Sequence, residues 1–294
     1  CTHSCCIAWE IDIDKNTYKK YKKLKGDIGE KIRASIDSVG QPHFRLLKND
    51  RCPHLNSSGL CDIIISLGED YLCDICKEHP RFYNFFYSGK EKRCEVGLGL
   101  ACESAARLAL LYGDYTKLIP LDIPAGKAKY HKPKDIDILL EREKIYKKLS
   151  DFDMCATDKI SLIAKSYGVS PDKLSQEEIY NLYSSLEYLN PESKLAFIKA
   201  NGNPKSLSGD KDSFVERYFA SLIYRYLPTS INKSDLALNV AFCMALAFLF
   251  AEMIKDCESL GGIIKQAVTI SEEIEYNTDN IEQIKFCLDL HCRI

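Results

Sequence analysis

Residues 52–81 read CPHLNSSGLCDIIISLGEDYLCDICKEHPR: four cysteines in thirty residues, spaced C-x8-C-x11-C-x2-C and closed by Pro80 and Arg81. Cys73 and Cys76 stand at i and i+3. A helix over Asp70–Glu78 would set both thiols on one face, close enough to share a metal ion or a cluster. Gly59 and Gly68 punctuate the segment into two short helices, Cys61–Leu67 and Glu69–Glu78. His54 and His79 flank the thiols and are alternative ligands; a hydrogen-bonding or surface role is the plainer reading of each. Arg81 is suited to grip a carboxylate through two parallel hydrogen bonds, or to form a structural salt bridge.

Working outward, CTHSCC brings three more thiols at Cys1, Cys5 and Cys6, and Cys102 opens a helix CESAARLALL. Cys5 and Cys6 are adjacent, so they are expected to point apart and not to ligate one ion together. A helix N-terminus favours thiolate, which makes Cys102 a candidate ligand or reactive thiol alongside a buried structural role. Nine of the 14 cysteines fall within the first 102 residues of this 294-residue chain. A secreted disulfide framework belongs to small chains poor in core. This one is 46% hydrophobic, so reduced cytoplasmic thiols gathered on metal are the better reading. A lipid-modified Cys1 would call for a flexible linker, where Cys5, Cys6 and Trp9 follow instead.

A formal net charge of −2 provides no basic field for nucleic acid and no acidic solvating tail. Residues 1–14 read as a short strand or extended arm with Trp9 as a core anchor. Thr17–Ser38 reads as helix, interrupted at Gly26 and Gly29, with a lysine-rich first half that is a solvated face. His43–Leu47 reads as a short strand. Phe82–Tyr87 and Cys94–Leu100, around Ser88-Gly89-Lys90, read as a β-hairpin. The next helix should turn Ala105, Leu108, Ala109 and Leu111 to the core.

Beyond Pro133 the apolar period is helical throughout. Ser175-x-x-Glu178 is a capping box, Asn190-Pro191 stops one helix and starts the next, and Asp279-x-x-Glu282 marks the last helix start. Leu236–Ile254 is nearly long enough to span a bilayer, but Asn239 and Glu252 within it favour the central buried helix of a bundle. Cys155, Cys243, Cys257 and Cys287 have no partner at ligand spacing and read as core. The fold expected is mainly α: a cysteine-rich cluster-binding part at 1–118 with a small hairpin, a linker at 119–133 and a helical bundle at 134–294.

Three classes of function suit these thiols. A structural zinc site needs four ligands, which Cys52, Cys61, Cys73 and Cys76 supply, leaving CTHSCC and Cys102 without work. An iron–sulfur cluster takes cysteine thiolates too and can leave an iron open to substrate. A bare electron carrier leaves the helical part unexplained. The chain has no Gly-rich phosphate or dinucleotide loop, no G-x-S-x-G and no H-E-x-x-H.

CTHSCCIAWEIDID, the central segment and GLACESAARLALL resemble the flagellin lysine N-methylases, with a fainter likeness in FVERYFASLIYRYL and SEEIEYNTDNIEQI. At Glu103–Ser104 the chain departs from the proline-containing form expected of that family. The resemblance implies an iron–sulfur-dependent enzyme that moves methyl groups from S-adenosyl-L-methionine to lysines of flagellin or another protein. It implies a [4Fe-4S] cluster drawing on Cys1, Cys5, Cys6, Cys52, Cys61, Cys73 and Cys76, with Arg81 and Cys102 in cofactor-binding segments. A non-catalytic zinc-binding interaction module is the alternative. Tyr180, Tyr183, Tyr218, Tyr224 and Tyr226 offer hydroxyls that a lysine-directed reaction could use as bases.

Overall fold

The computed structural model describes residues 4–7, 9–112, 114–121, 128–151, 153–170, 173–200, 207 and 209–292. It is mainly α-helical, with two small antiparallel two-stranded sheets. The chain divides into two compact units, Cys1–Arg81 with Cys102–Ser104, and Phe82–Ala101 with Ala105–Ile294. The boundary at 118 read from the sequence thus falls inside the second unit.

In the first unit, helix α1 (Lys15–Lys23) starts at Asp14, whose carboxylate accepts the backbone N–H groups of Asn16 and Thr17. Leu24 ends α1 in extended geometry, and Gly26, at φ +79°, turns the chain into α2 (Gly26–Ser35). Gly29 lies inside α2 rather than interrupting it. A Cβ there would meet the Leu24 carbonyl oxygen at 2.7 Å, so only glycine permits this approach. Strands β1 (Ile36–Asp37) and β2 (His43–Phe44) pair with Ile36 opposite Phe44. Ile11, Ile13, Tyr21, Ile32, Phe44, Leu55 and Ile63 form the core together with Cys52 and Cys73. Trp9 is half-buried.

The second unit opens with the expected hairpin, β3 (Arg81–Ser88) and β4 (Glu91–Leu98), around Gly89 at φ +60°. Of the segment read as a linker, 122–127 lie outside the described residues. His131 pairs in parallel with Phe86, exchanging backbone hydrogen bonds with Phe85 and Tyr87, so this part extends the hairpin edge instead of running free. Helix α5 (Glu103–Leu111) buries Ala105, Ala106 and Leu110, while Leu108 is exposed. The face is therefore rotated by about one position from the one expected, because Ala106 and Leu110 at i and i+4 meet the core.

The helices that follow are α6 (Ile138–Asp151), α7 (Ala156–Ser166), α8 (Gln176–Ser185), α9 (Pro191–Lys199), α10 (Asp210–Tyr226), α11 (Lys233–Ile254), α12 (Leu260–Ile270) and α13 (Thr278–His291). The Ser175/Glu178 capping box and the Asn190-Pro191 start are both present. The last helix is capped by Asn277, which accepts from the Asp279 and Asn280 amides, and not by Asp279. Helix α11 is packed by α7, α9, α10, α12 and α13. Among the described residues it is the one helix long and apolar enough to cross a membrane, and 78% of its apolar window is buried within the protein. Its polar residues are satisfied by protein groups. Asn239 donates to Thr229 and Ser230 and accepts from Lys285, and Glu252 pairs with Lys255. A π-helical turn, Ser271–Glu275, joins α12 to the Asn277 cap.

Candidate metal centre

Three local devices gather the thiols of the first unit. A 3₁₀ turn at Ser4–Cys6 carries Cys5 and Cys6, and the Cys52 amide donates to the Cys6 carbonyl at 2.8 Å. The loop from Cys52 to Cys61 is closed by a bridge between Leu55 and Cys61. Within it the Asn56 side chain accepts from Ser58 and Leu60, and Arg51 donates to the carbonyls of Leu55 and Asn56. Cys61 then precedes α3 (Asp62–Leu67). A 3₁₀ turn at Glu69–Tyr71 follows, and α4 (Asp74–Glu78) begins after Cys73.

The continuous helix expected over Asp70–Glu78 is broken at Leu72–Cys73, where the backbone is extended. Cys73 is the N-cap of α4 and Cys76 its third residue, and their sulfurs are nonetheless 3.4 Å apart. The proximity comes from the curl of chain entering the helix, not from a helical face. Cys5 and Cys6 likewise do not diverge: the 3₁₀ turn brings their sulfurs to 4.0 Å.

Electrostatics ties six of these thiols into one group. A hydrogen bond from Cys6 lowers Cys5 to about 7. Cys6 is pushed far up by sharing that hydrogen with Cys5, by burial, and by the charges of Cys5, Cys52 and Cys61. Burial raises Cys52 to about 11, against hydrogen bonds from the His54 and Leu55 amides. A hydrogen bond from Cys76 lowers Cys73, and Cys76 is raised by that bond, by burial, and by the charges of Cys73, Cys52 and Cys6. Each close pair therefore favours one thiolate. Ionising all six would set like charges together in a poorly solvated place, unless a cation replaced the protons.

A tetrahedral zinc site with zinc–sulfur bonds of about 2.3 Å has edges of about 3.8 Å, close to the spacing of both close pairs. Among the described residues, however, no three His, Cys, Asp or Glu side chains converge on one ion position. The donor set is all sulfur, and it suits zinc or an iron–sulfur cluster rather than a hard cation.

The remaining candidates lie differently. Cys1 is outside the described residues. Cys102 is half-buried ahead of α5 and groups with the first unit. Arg81 is exposed and donates to the Lys77 carbonyl. Neither figures among the main influences on the six thiols. His54 is fully buried, its Nε2 2.9 Å from Ser35 Oγ and its ring edge-on to Phe44, while Nδ1 has no partner. Burial depresses it to about 4, so it stays neutral.

Two residues not singled out in the sequence shape the site. Tyr21, buried on α1, donates to the Tyr71 carbonyl at 2.6 Å, and its hydroxyl feels Cys73, Cys76 and Cys61. Asp14 caps α1 and also accepts the amide of Asp74, the first residue of α4. An Asp before a helix was a visible capping signal; its second bond, sixty residues away, had none.

With this geometry in place, no family model matches the chain, and no solved structure matches it. Among curated proteins, the chain is similar to lysine-N-methylases of Salmonella typhimurium and Salmonella choleraesuis, each 28% identical over 116 residues, covering 35% of this chain and 26% of the relative. It is equally similar to the flagellar biosynthetic protein FliU of Salmonella muenchen, of which the match covers 62%. The match spans about a quarter of the length of the two methylases, and it is to proteins of these names that the chain is distantly similar.

Proposed function

We propose that this chain is a protein lysine N-methyltransferase that uses S-adenosyl-L-methionine and a [4Fe-4S] cluster, with flagellin as its protein substrate. The observation that carries the reading is the gathering of Cys5, Cys6, Cys52, Cys61, Cys73 and Cys76 in a chain similar to lysine-N-methylases. When bound, the cluster would supply an electron-rich metal centre held by thiolates. Cys73 and Cys76, already adjacent, would hold it together with Cys52 of the same core, with Cys5 or Cys6 supplying the fourth thiolate. Tyr21 and the Asp14–Asp74 bond fix the chain entering α4 and so keep Cys73 in place.

A lysine amine must lose its proton before it can take a methyl group, and a free lysine ammonium titrates near about 10.4. Four of the five tyrosines suggested by the sequence are poor acceptors. Tyr183, Tyr218 and Tyr226 are buried with their hydroxyls pushed far up, and burial lifts Tyr224 to about 12.

The test is anaerobic reconstitution with iron and sulfide, followed by incubation with S-adenosyl-L-methionine and flagellin. Mass increments in methyl steps on flagellin lysines are expected, and none from the Cys73→Ala protein. Methylation that survives complete removal of iron would reject the cluster's role. A second reading, a zinc-binding interaction module, is favoured by the sulfur spacings of 3.4 and 4.0 Å, which suit a tetrahedral ion. One tightly held zinc, no acid-labile sulfide and flagellin binding without a mass change would establish it.

A further inference from the structure

The second unit holds a cavity of about 730 Å³ that no part of the thiol chemistry uses. Its walls come from Phe82, strand β4, α5, the chain after α5, Tyr146 of α6 and Tyr224 of α10. This volume suits a small molecule. Two ring pairs line it, Phe82 with Tyr224 and Tyr115 with Tyr146, and Tyr112 stands 65% exposed at its mouth. Small residues keep it open. Ala105, Ala109, Ala220 and Ser221 form much of the helical wall, and a Cβ on Gly97 would strike the Phe82 ring at 2.3 Å.

The charges of this cavity are spent on one another. Arg93 pairs with Glu91, Lys117 with Asp114, and Glu95 is bound through both oxygens by Arg142. Among the described residues, the lining of this larger cavity therefore offers aromatic faces while its cations are paired, which welcomes a flat neutral ring. A neighbouring cavity of about 500 Å³ shares Leu118 and Tyr146 with it and has the opposite character. Glu143 and Lys147, exposed and making no ion pair with each other, lie along its edge. One acid and one base side by side complement an ammonium and a carboxylate carried by one ligand.

We infer that these two cavities form one binding site for an adenosine joined through sulfur to a zwitterionic amino acid. The purine lies among the rings of the larger cavity, and the amino-acid end lies against Glu143 and Lys147. Stacking of a base on aromatic side chains is sequence-tolerant and strong enough to anchor such a ligand without phosphate contacts. The choice of this ligand rests on the methyl donor of the proposed function; the site itself rests on the cavity chemistry.

The experiment is calorimetric titration of the full chain with S-adenosylhomocysteine, the product form of the donor, and with adenosine 5′-monophosphate. One S-adenosylhomocysteine per chain is expected, with the nucleotide about tenfold weaker, because its phosphate brings no ammonium to Glu143 and sets a dianion beside that carboxylate. Tyr112→Ala, at the exposed mouth, should weaken binding about tenfold by removing one stacking face. Lys147→Glu should weaken it several-fold, and Ser221→Phe, checked for folding by circular dichroism, should block it. Two outcomes overturn the site. One is the absence of binding. The other is binding that is lost in Cys73→Ala but untouched by Tyr112→Ala and Lys147→Glu, which would put the ligand at the thiols and leave the proposed function standing. Binding here by a cluster-loaded protein that methylates no lysine would keep the site and reject that function instead.

Discussion

Cys73 Sγ and Cys76 Sγ lie 3.4 Å apart although Cys73 stands just outside α4, with extended backbone, as its N-cap. An N-cap side chain turns back over the first turn of its helix, so a thiol there meets the third helical residue. The C-x2-C spacing works because the helix starts between its cysteines, not because it runs through them. Cys73→Ala or Cys76→Ala should each abolish metal loading. Cys257→Ala, at the edge of the second unit's core, should leave it intact. Iron, zinc and acid-labile sulfide per chain after anaerobic reconstitution check this, and equal losses from all three would show that packing and not ligation was disturbed.

Asp14 holds the starts of α1 and α4 together by accepting from Thr17, Asn16 and Asp74. Burial is the largest single influence and raises its carboxyl, but the hydrogen bonds from Thr17, Asp74 and Asn16 together outweigh it and hold the group below the usual carboxylate range. The stabilisation is therefore full above about pH 4, the unfolded value, and is lost as pH falls through the lower folded value. Asp14→Ala should cost about 1 kcal/mol at neutral pH, and its difference from the parent protein should vanish in acid. Urea unfolding followed from pH 7 down to pH 2 would reveal it.

Glu272 should behave in the opposite sense. Its carboxyl is raised to about 7 in the folded chain, so folding binds a proton between the ordinary carboxylate range and that value, and stability falls as pH rises through this window. Glu272→Gln removes the penalty. The variant should match the parent near pH 4 and exceed it above pH 7, by about 1 kcal/mol once solvent screening is allowed for. Thermal unfolding at the two pH values measures the difference.

Glu95 and Arg142 form a buried pair at 2.6 and 2.7 Å, 8% and 4% exposed. Removing one partner strands the other charge, so Arg142→Ala and Glu95→Ala should each cost about 3–5 kcal/mol. A joint Glu95→Leu, Arg142→Met replacement should cost far less. A double-mutant cycle by chemical denaturation gives the coupling directly.

Local starts and stops were legible in the sequence. The Ser175/Glu178 box, the Asn190-Pro191 start and the hairpin around Gly89 are visible because each rests on hydrogen bonds or backbone angles spanning a few residues. The burial of α11 was legible from its composition, since Asn239 and Glu252 needed protein partners. The thiol-rich character of the candidate site was equally plain, and its C-x2-C pair is adjacent as expected, though by a cap. Tertiary structure decided what local rules leave open. It turned the α5 face onto Ala106 and Leu110 and moved the last cap to Asn277. It also brought Cys52 beside Cys6, joined Asp14 to Asp74 and closed Glu95 on Arg142. Those contacts join residues forty to sixty positions apart, and the energy that selects them is burial shared by the whole core, which no short window of sequence contains.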